Sequence, residues 1–181
     1  EQGLPESGFV FCCFNNSYKI TPGAFDTWMR LLARVPGSVL WLLGSSRTAR
    51  ENLCRQAGAR GVRADRLVFA SAMDPEDHLA RHRLADLFLD TFPFNGGTTT
   101  SDVLWTGLPL VSLAGEALAR RMAGSLLTTV GVPELIASSF DEYEAMALAL
   151  ARDRERLGSL RTRIEAARLA ETYGDGEIRL T

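Results

Sequence analysis

The segment LDTFPFNGGTTTSD, positions 89–102, joins an apolar run to two glycines and a series of hydroxyl side chains. A strand that enters a glycine turn and then opens a helix can present hydrogen-bond donors to a phosphate. Gly96 and Gly97 allow close approach of the backbone, and Thr98 and Thr99 stand where a helix would begin with unpaired N–H groups. Thr99 followed by Asp102 also matches a capping box, which requires no ligand. On spacing alone, both interpretations stay open.

A second polar cluster follows the first apolar run of the chain. The sequence FNNSYK contains Asn16 and Lys19, an amide and an ammonium that could both bind a diphosphate. Most lysines are instead solvated surface residues, and Lys19 could be one of them. The sequence therefore makes Lys19 a candidate for an anion site without deciding between these roles.

A third cluster begins at Ala72 and Met73 and continues into a predicted helix. His78 and Arg81 lie three positions apart on one face of that helix, where they either meet a ligand or only occupy the surface. His78 and His82 have a spacing that can bind zinc. No third ligand accompanies them, so the sequence predicts no metal site.

Short apolar runs alternate with helical periodicity, and this order predicts how the clusters are positioned. Strands are predicted over 9–14, 39–43, 66–69, 87–90 and 110–113. Each is an unbroken apolar run, so we expect strands that are covered on both faces. Helices are predicted to begin at Thr21-Pro22 and Asp74-Pro75 and to cover 116–130, 140–152 and 154–169. Together they predict an α/β fold with a doubly wound parallel sheet, in which ligands bind beyond the carboxyl ends of the strands.

Composition limits the classes of partner. The 181 residues are 46% hydrophobic with a net charge of −2, and the basic residues are scattered, which argues against nucleic acid. No membrane-length apolar run and no signal peptide are present, so a cytoplasmic location is expected.

Cys12, Cys13 and Cys54 are interpreted as buried, reduced thiols. We predict a leading segment over 1–8, one domain over 9–170 and a tail over 171–181, cut from a longer protein.

The chain resembles the carboxyl-terminal half of the catalytic region of the O-GlcNAc transferase and SPINDLY family of glycosyltransferases, from position 11 to about 169. The resemblance is carried, in this order and at this spacing, by FNNSYKITP, RVPGSVLWLL, DRLVF, HLARHRLADLFLDTFPFNGGTTTSDVLWTGLPLV, LAGEALARRMAGSLL and VGVPELI. It implies the GT-B arrangement, two Rossmann-like domains facing across a cleft. In that arrangement this chain would supply the nucleotide-sugar-binding half.

The resemblance also implies roles for single positions. Lys19 matches the lysine that neutralises the departing diphosphate and is the candidate catalytic residue, while Asn16 stands where a polar side chain contacts the same phosphates. Thr98 and Thr99 match donors to the β-phosphate. The other positions that the resemblance places in the donor site are Ala72, Met73, His78, Arg81, Gly96, Gly97 and Asp102.

Departures from the family pattern leave the donor open. Ala72 and Met73 match backbone contacts to the base, and Asp102 matches an acid near the ribose that is typical of the GlcNAc branch. The sequences DTFPF and TTT are more like SPINDLY. Gly97 stands where animal O-GlcNAc transferases carry histidine, and Pro75 where they carry lysine. We therefore expect donor affinity or base choice to differ from theirs.

The implied function is half of an inverting protein O-glycosyltransferase, with UDP-GlcNAc as the expected donor and Ser or Thr of proteins as acceptors. No Asp-x-Asp motif is present, so no metal or other cofactor is expected. Protein acceptors would be recruited through domains outside this chain, and neither nucleic acid nor membrane is an expected partner. Fucose transfer from GDP-fucose, glucose transfer to asparagine and a non-catalytic binding module remain alternatives, and homodimerisation stays open.

Overall fold

A parallel sheet forms the centre of the computed structural model, which describes residues 2–44, 46–115 and 121–173. Its strands are β1 (Val10–Cys13), β2 (Val39–Leu43), β3 (Leu67–Ala70), β4 (Leu87–Leu89), β5 (Leu110–Leu113) and β6 (Ile136–Ala137). They lie in the order β3-β2-β1-β4-β5-β6, and each neighbouring pair is parallel. This is the strand order of a Rossmann-like sheet.

Helices connect the strands and cover the sheet. They are α1 (Pro22–Arg34), α2 (Arg47–Gly58), α3 (Pro75–Arg81), α4 (Thr98–Trp105), α5 (Met122–Thr129), α6 (Phe140–Arg152) and α7 (Arg154–Tyr173). α1 packs against α6, while α4 contacts α5 and α7. Thr21 caps α1 through its hydroxyl, which accepts from the Ala24 amide at 3.4 Å. The predicted α/β fold with a doubly wound parallel sheet is confirmed.

The strands are buried because they carry apolar side chains on both faces. Phe11, Trp41 and Phe88, on three adjacent strands, have no solvent-accessible surface. Burial on both faces is the expected state of strands that helices flank on either side. The unbroken apolar runs of the sequence are explained by this arrangement.

The direction of winding reverses between β1 and β4. β2 and β3 lie on one side of β1, and β4, β5 and β6 lie on the other. In open α/β sheets the crevice beyond the strand ends at such a switch point is the usual ligand site. Lys19 follows β1, and the turn with Gly96 and Thr98 follows β4. The fold therefore brings two of the three polar clusters to the switch point.

Several boundaries differ from the predictions. β6 was not predicted, because a two-residue strand has no periodicity to detect. The predicted helix 116–130 is shorter within the described residues, where α5 begins at Met122 after the N-cap Arg121 and ends at Thr129. Positions 116–120, and 174–181 of the predicted tail, lie outside the described residues. Cys12 and Cys13 are buried, but the prediction was wrong for Cys54, which is only half-buried on α2. Among the described residues, no helix combines the length and hydrophobicity needed to cross a bilayer.

Candidate functional site

Lys19 lies at the end of a short turn that leaves β1. Asn16 caps this turn, with its side-chain oxygen accepting from the Tyr18 amide at 3.5 Å, and the Lys19 amide donates to the Asn16 carbonyl at 2.9 Å. The Lys19 ammonium donates to the carbonyl of Asn95 at 3.2 Å. This bond directs the only lysine of the sequence onto the glycine turn that precedes α4.

The glycine turn ends in an uncapped helix. Gly97 is the N-cap of α4, and no side chain bonds the first amides of the helix. The capping-box interpretation is therefore wrong, because Thr99 lies inside the helix. The first N–H groups of an α-helix have no partner within it, and the helix dipole adds positive potential there. Thr98 is exposed at this end of the helix.

The two glycines of the turn differ in their surroundings. A Cβ at Gly96 would lie 2.8 Å from the Thr100 hydroxyl oxygen and 3.0 Å from the side-chain oxygen of Asn15. A Cβ at Gly97 would lie 2.9 Å from the terminal methyl of Met122. Gly96 is thus required by packing within the turn, whereas Gly97 meets only the end of a flexible side chain.

The third cluster packs around Phe14, the residue that follows β1. The guanidinium of Arg81 lies 5.5 Å from the centre of the Phe14 ring, and the His78 ring is also 5.5 Å from it. Arg81 is only 3% exposed, yet none of its three guanidinium nitrogens has a hydrogen-bond partner within the described ranges. A buried charge without a partner is costly, and such groups are found where a ligand completes the site.

His78 lies on α3 and His82 follows the last residue of that helix, and the two imidazoles have different environments. His82 is fully buried, its Nδ1 lies 2.9 Å from the His78 carbonyl oxygen, and burial lowers its pKa to about 4. Burial also lowers the pKa of His78, helped by the Arg81 charge and opposed by Asp102. The His82 imidazole is neutral at pH 7.

The remaining predicted positions lie at the same edge of the sheet. Ala72 is exposed and Met73 half-buried in the loop between β3 and α3. Asp102 lies half-buried on α4. The Lys19 ammonium contacts the carbonyl of Asn95, two residues before the N-cap of α4. His78 and Arg81 pack on Phe14, and the charge of Asp102 raises the pKa of His78. Ala72 and Met73 share the edge without a contact that ties them to Lys19.

Sequence reasoning missed Asp90 and Asn15. Both are buried behind the glycine turn, where the Asn15 amide donates to the Asp90 carboxylate at 3.0 Å. Lys19 could also have been singled out by composition, since it is the one lysine among 20 lysines and arginines.

A groove of about 740 Å³ opens between α4 and α5. It is lined by Gly97, Thr98, Ser101, Arg121, Met122 and Ser125.

Comparisons with known proteins show which proteins the chain is similar to. The model of glycosyl transferase family 41 matches residues 1–177. A UDP-N-acetylglucosamine–peptide N-acetylglucosaminyltransferase of Caenorhabditis elegans is 41% identical over 172 residues, which are 95% of this chain and 15% of that protein. A probable enzyme of the same name, SPINDLY of Hordeum vulgare, is 36% identical over 178 residues, covering 94% of this chain and 19% of that protein.

A solved structure shows the same fold. A point mutant of the Thermobaculum terrenum O-GlcNAc transferase superposes with a TM-score of 0.89 and 34% identity, covering 93% of this chain and 33% of that chain. This chain therefore spans 15% and 19% of the two curated relatives and a third of the solved one.

Proposed function

Because this chain belongs to glycosyl transferase family 41, we propose that it is the nucleotide-sugar-binding half of an inverting protein O-glycosyltransferase. The proposed donor is UDP-GlcNAc, as the names of the relatives suggest. The proposed acceptors are Ser and Thr hydroxyls of proteins. The observation that carries the proposal is the bond from the Lys19 ammonium to the Asn95 carbonyl, at the turn that opens into uncapped α4.

The proposed reaction is a single displacement. The acceptor oxygen bonds to the anomeric carbon while the bond from that carbon to the β-phosphate oxygen breaks, and the electron pair leaves with UDP. Negative charge grows on the diphosphate during this step. Lys19 and the first amides of α4 would stabilise that charge, because preorganised donors act most strongly where charge develops. The proton of the acceptor would pass to a base outside this chain.

The nucleoside end of the donor would lie toward α3. His78, Arg81 and Asp102 would line this side, and the backbone of Ala72 and Met73 would contact the base. The unpartnered guanidinium of Arg81 supports a polar ligand there, since acceptor oxygens of a nucleotide would satisfy its nitrogens. Asn16 would add a contact to the phosphates from the turn after β1.

The same proposal covers cofactors, partners and location. No metal is assigned to the diphosphate, because Lys19 and α4 would supply the positive charge that a divalent ion supplies elsewhere. Within the described ranges, His, Cys, Asp and Glu side chains form no group of three that could hold a metal. Acceptor proteins would bind through the parts of the relatives that this chain does not span, in the cytoplasm.

Calorimetric titration of the 181-residue chain with UDP, UMP and GDP tests the proposal. UDP is expected to bind more tightly than UMP, because only UDP carries the diphosphate that Lys19 and α4 would contact. EDTA is expected to leave UDP affinity unchanged. Absence of binding for every nucleotide would favour a non-catalytic module, and a preference for GDP would make GDP-fucose the donor. Mass spectrometry of products formed by the full-length protein would separate transfer of GlcNAc from transfer of fucose or glucose.

A further inference from the structure

The carboxylate of Asp90 joins three neighbouring strands of the sheet at the switch point. Asp90 follows β4 directly and is 2% exposed. Its Oδ1 accepts from the Asn15 side-chain amide at 3.0 Å and from the amides of Thr91 and Gly96, each at 2.9 Å. Its Oδ2 accepts from the Ser112 hydroxyl of β5 at 2.8 Å. The segments that follow β1 and β4 therefore meet β5 at one side chain.

The bond to the Gly96 amide fixes the turn that carries the proposed diphosphate site. The chain leaves Asp90, passes through Asn95 and returns to the same carboxylate at Gly96. The carbonyl of Asn95 accepts from the Lys19 ammonium, and the residue after Gly96 is the N-cap of α4. Lys19 and the start of α4 are thus both located relative to a turn that Asp90 closes.

Burying the charge of Asp90 costs free energy, which its four hydrogen bonds offset in part. Burial raises its pKa to about 6, and the four hydrogen bonds oppose this rise. The titratable groups that interact with it, the Cys13 thiol of β1 and the Tyr143 hydroxyl of α6, also have raised pKa values and stay neutral. At neutral pH the ionised carboxylate is therefore held in the interior by hydrogen-bond donors, and the nearest basic group of the site, the Lys19 ammonium, bonds to the Asn95 carbonyl of the same turn. Its donors identify its role as the organisation of the turn.

We propose that Asp90 is a positioning residue of the diphosphate site. It holds the turn between β4 and α4 so that the Lys19 ammonium and the first amides of α4 face the same anion. The inference rests on the proposed function, because it assigns Asp90 to the site that binds the nucleotide diphosphate. Groups held in place before binding lose less entropy when the ligand arrives, so the expected effect is on affinity.

Substitution of Asp90 with two different side chains tests the role. Asp90→Ala removes every acceptor and is expected to weaken UDP binding about tenfold or more. In Asp90→Asn the side-chain oxygen still accepts from Asn15, Thr91 and Gly96, and the new amide donates to the Ser112 hydroxyl. This variant is expected to bind UDP within about threefold of the unaltered chain. Rescue by asparagine separates positioning of the turn from the charge.

Asp86→Ala is the matched control. Asp86 lies at the opposite end of β4, where its carboxylate accepts from the Val10 amide at 2.8 Å and pairs with Arg154 at 3.0 Å. Its loss is expected to lower the melting temperature and leave UDP affinity unchanged. Should Asp90→Ala fail to fold, Asp90→Ser keeps a hydroxyl near Asn15 but is too short to reach the Gly96 amide, and it is also expected to lose UDP affinity.

The outcomes distinguish this inference from the proposed function. If the unaltered chain binds UDP and a folded Asp90→Ala or Asp90→Ser binds it equally well, the positioning role is overturned and the proposed function stands. Equal losses in Asp90→Asn and Asp90→Ala also overturn it. If the unaltered chain binds no nucleotide, both proposals are overturned together.

Discussion

The Lys19 ammonium donates to the backbone carbonyl of Asn95 across 76 positions of sequence, at 3.2 Å. The bond links the turn after β1 to the turn after β4, the two strands between which the winding of the sheet reverses. A carbonyl that holds a lysine beside an uncapped helix leaves the remaining ammonium protons for an anion. The contact thus gives the expected anion site a specific geometry.

Loss of the Lys19 ammonium is expected to weaken nucleotide binding. Lys19→Ala should reduce UDP affinity about 10- to 100-fold, the range for a hydrogen bond to a charged group. Calorimetry of the variant measures the effect, with Arg63→Ala as the control. Arg63 is an exposed residue that precedes β3 and pairs with Asp65. Equal affinities of Lys19→Ala and the unaltered chain for UDP would show that the ammonium does not meet the phosphates.

The adjacent glycines offer a matched pair of substitutions. Gly96→Ala is expected to destabilise the chain by about 1–3 kcal/mol, since its Cβ would meet the Thr100 and Asn15 side-chain oxygens in a packed turn. Gly97→Ala should cost less than about 1 kcal/mol, because the end of Met122 can move. Urea unfolding of both variants measures the difference. A larger loss for Gly97→Ala would contradict the packing of the turn.

Arg81 is predicted to stabilise the bound state rather than the free chain. Arg81→Met removes a buried guanidinium without hydrogen bonds and keeps an apolar stem against Phe14, so the free energy of unfolding should be unchanged or higher. UDP affinity should nevertheless fall. Thermal melts with and without UDP measure both effects. A variant that loses stability and keeps its UDP affinity would place Arg81 in the framework instead of the site.

The raised pKa of Asp90 predicts that the free energy of unfolding falls as the pH rises. Its pKa is about 6 in the folded chain against an ordinary value of 3.8, so the folded state binds the proton more tightly than the unfolded state. The stability that this group contributes is present in full below about pH 4 and is lost by about 3 kcal/mol as the pH rises through 6. Urea unfolding of the unaltered chain and Asp90→Asn between pH 4 and 8 isolates this contribution. A difference between them that stays constant with pH would contradict the raised pKa.

The sequence predicted the strands of the fold well because their signal is local. Apolar runs such as 39–43 and 87–89 must be covered on both faces, and the structure confirms this for Trp41 and Phe88. β6 was missed because two residues carry no periodic pattern. The boundary of β3 moved by one position, since Arg66 ends a short turn and donates to the carbonyls of Leu32 and Val35.

The sequence predicted the residues at the opening of the candidate site but not the buried residues behind them. Glycines, hydroxyls and Lys19 can be recognised by type, and their meeting at one edge follows from parallel strands. The hydrogen bonds of Asp90 and Asn15 could not be predicted, because they join positions 75 residues apart through packing of the sheet. The choice between a capping box and an open helix start also depended on where α4 begins, and the structure places Thr99 within it.

Lysine side-chain NMR tests the shared anion site most directly, because Lys19 is the only lysine in the sequence. A chain labelled with isotopes in lysine alone gives one set of side-chain signals. On titration with UDP, these signals are expected to shift and to saturate with the dissociation constant measured by calorimetry, while UMP shifts them less. If UDP binds by calorimetry and the Lys19 side-chain signals do not move, the ammonium and the start of α4 do not hold the same diphosphate.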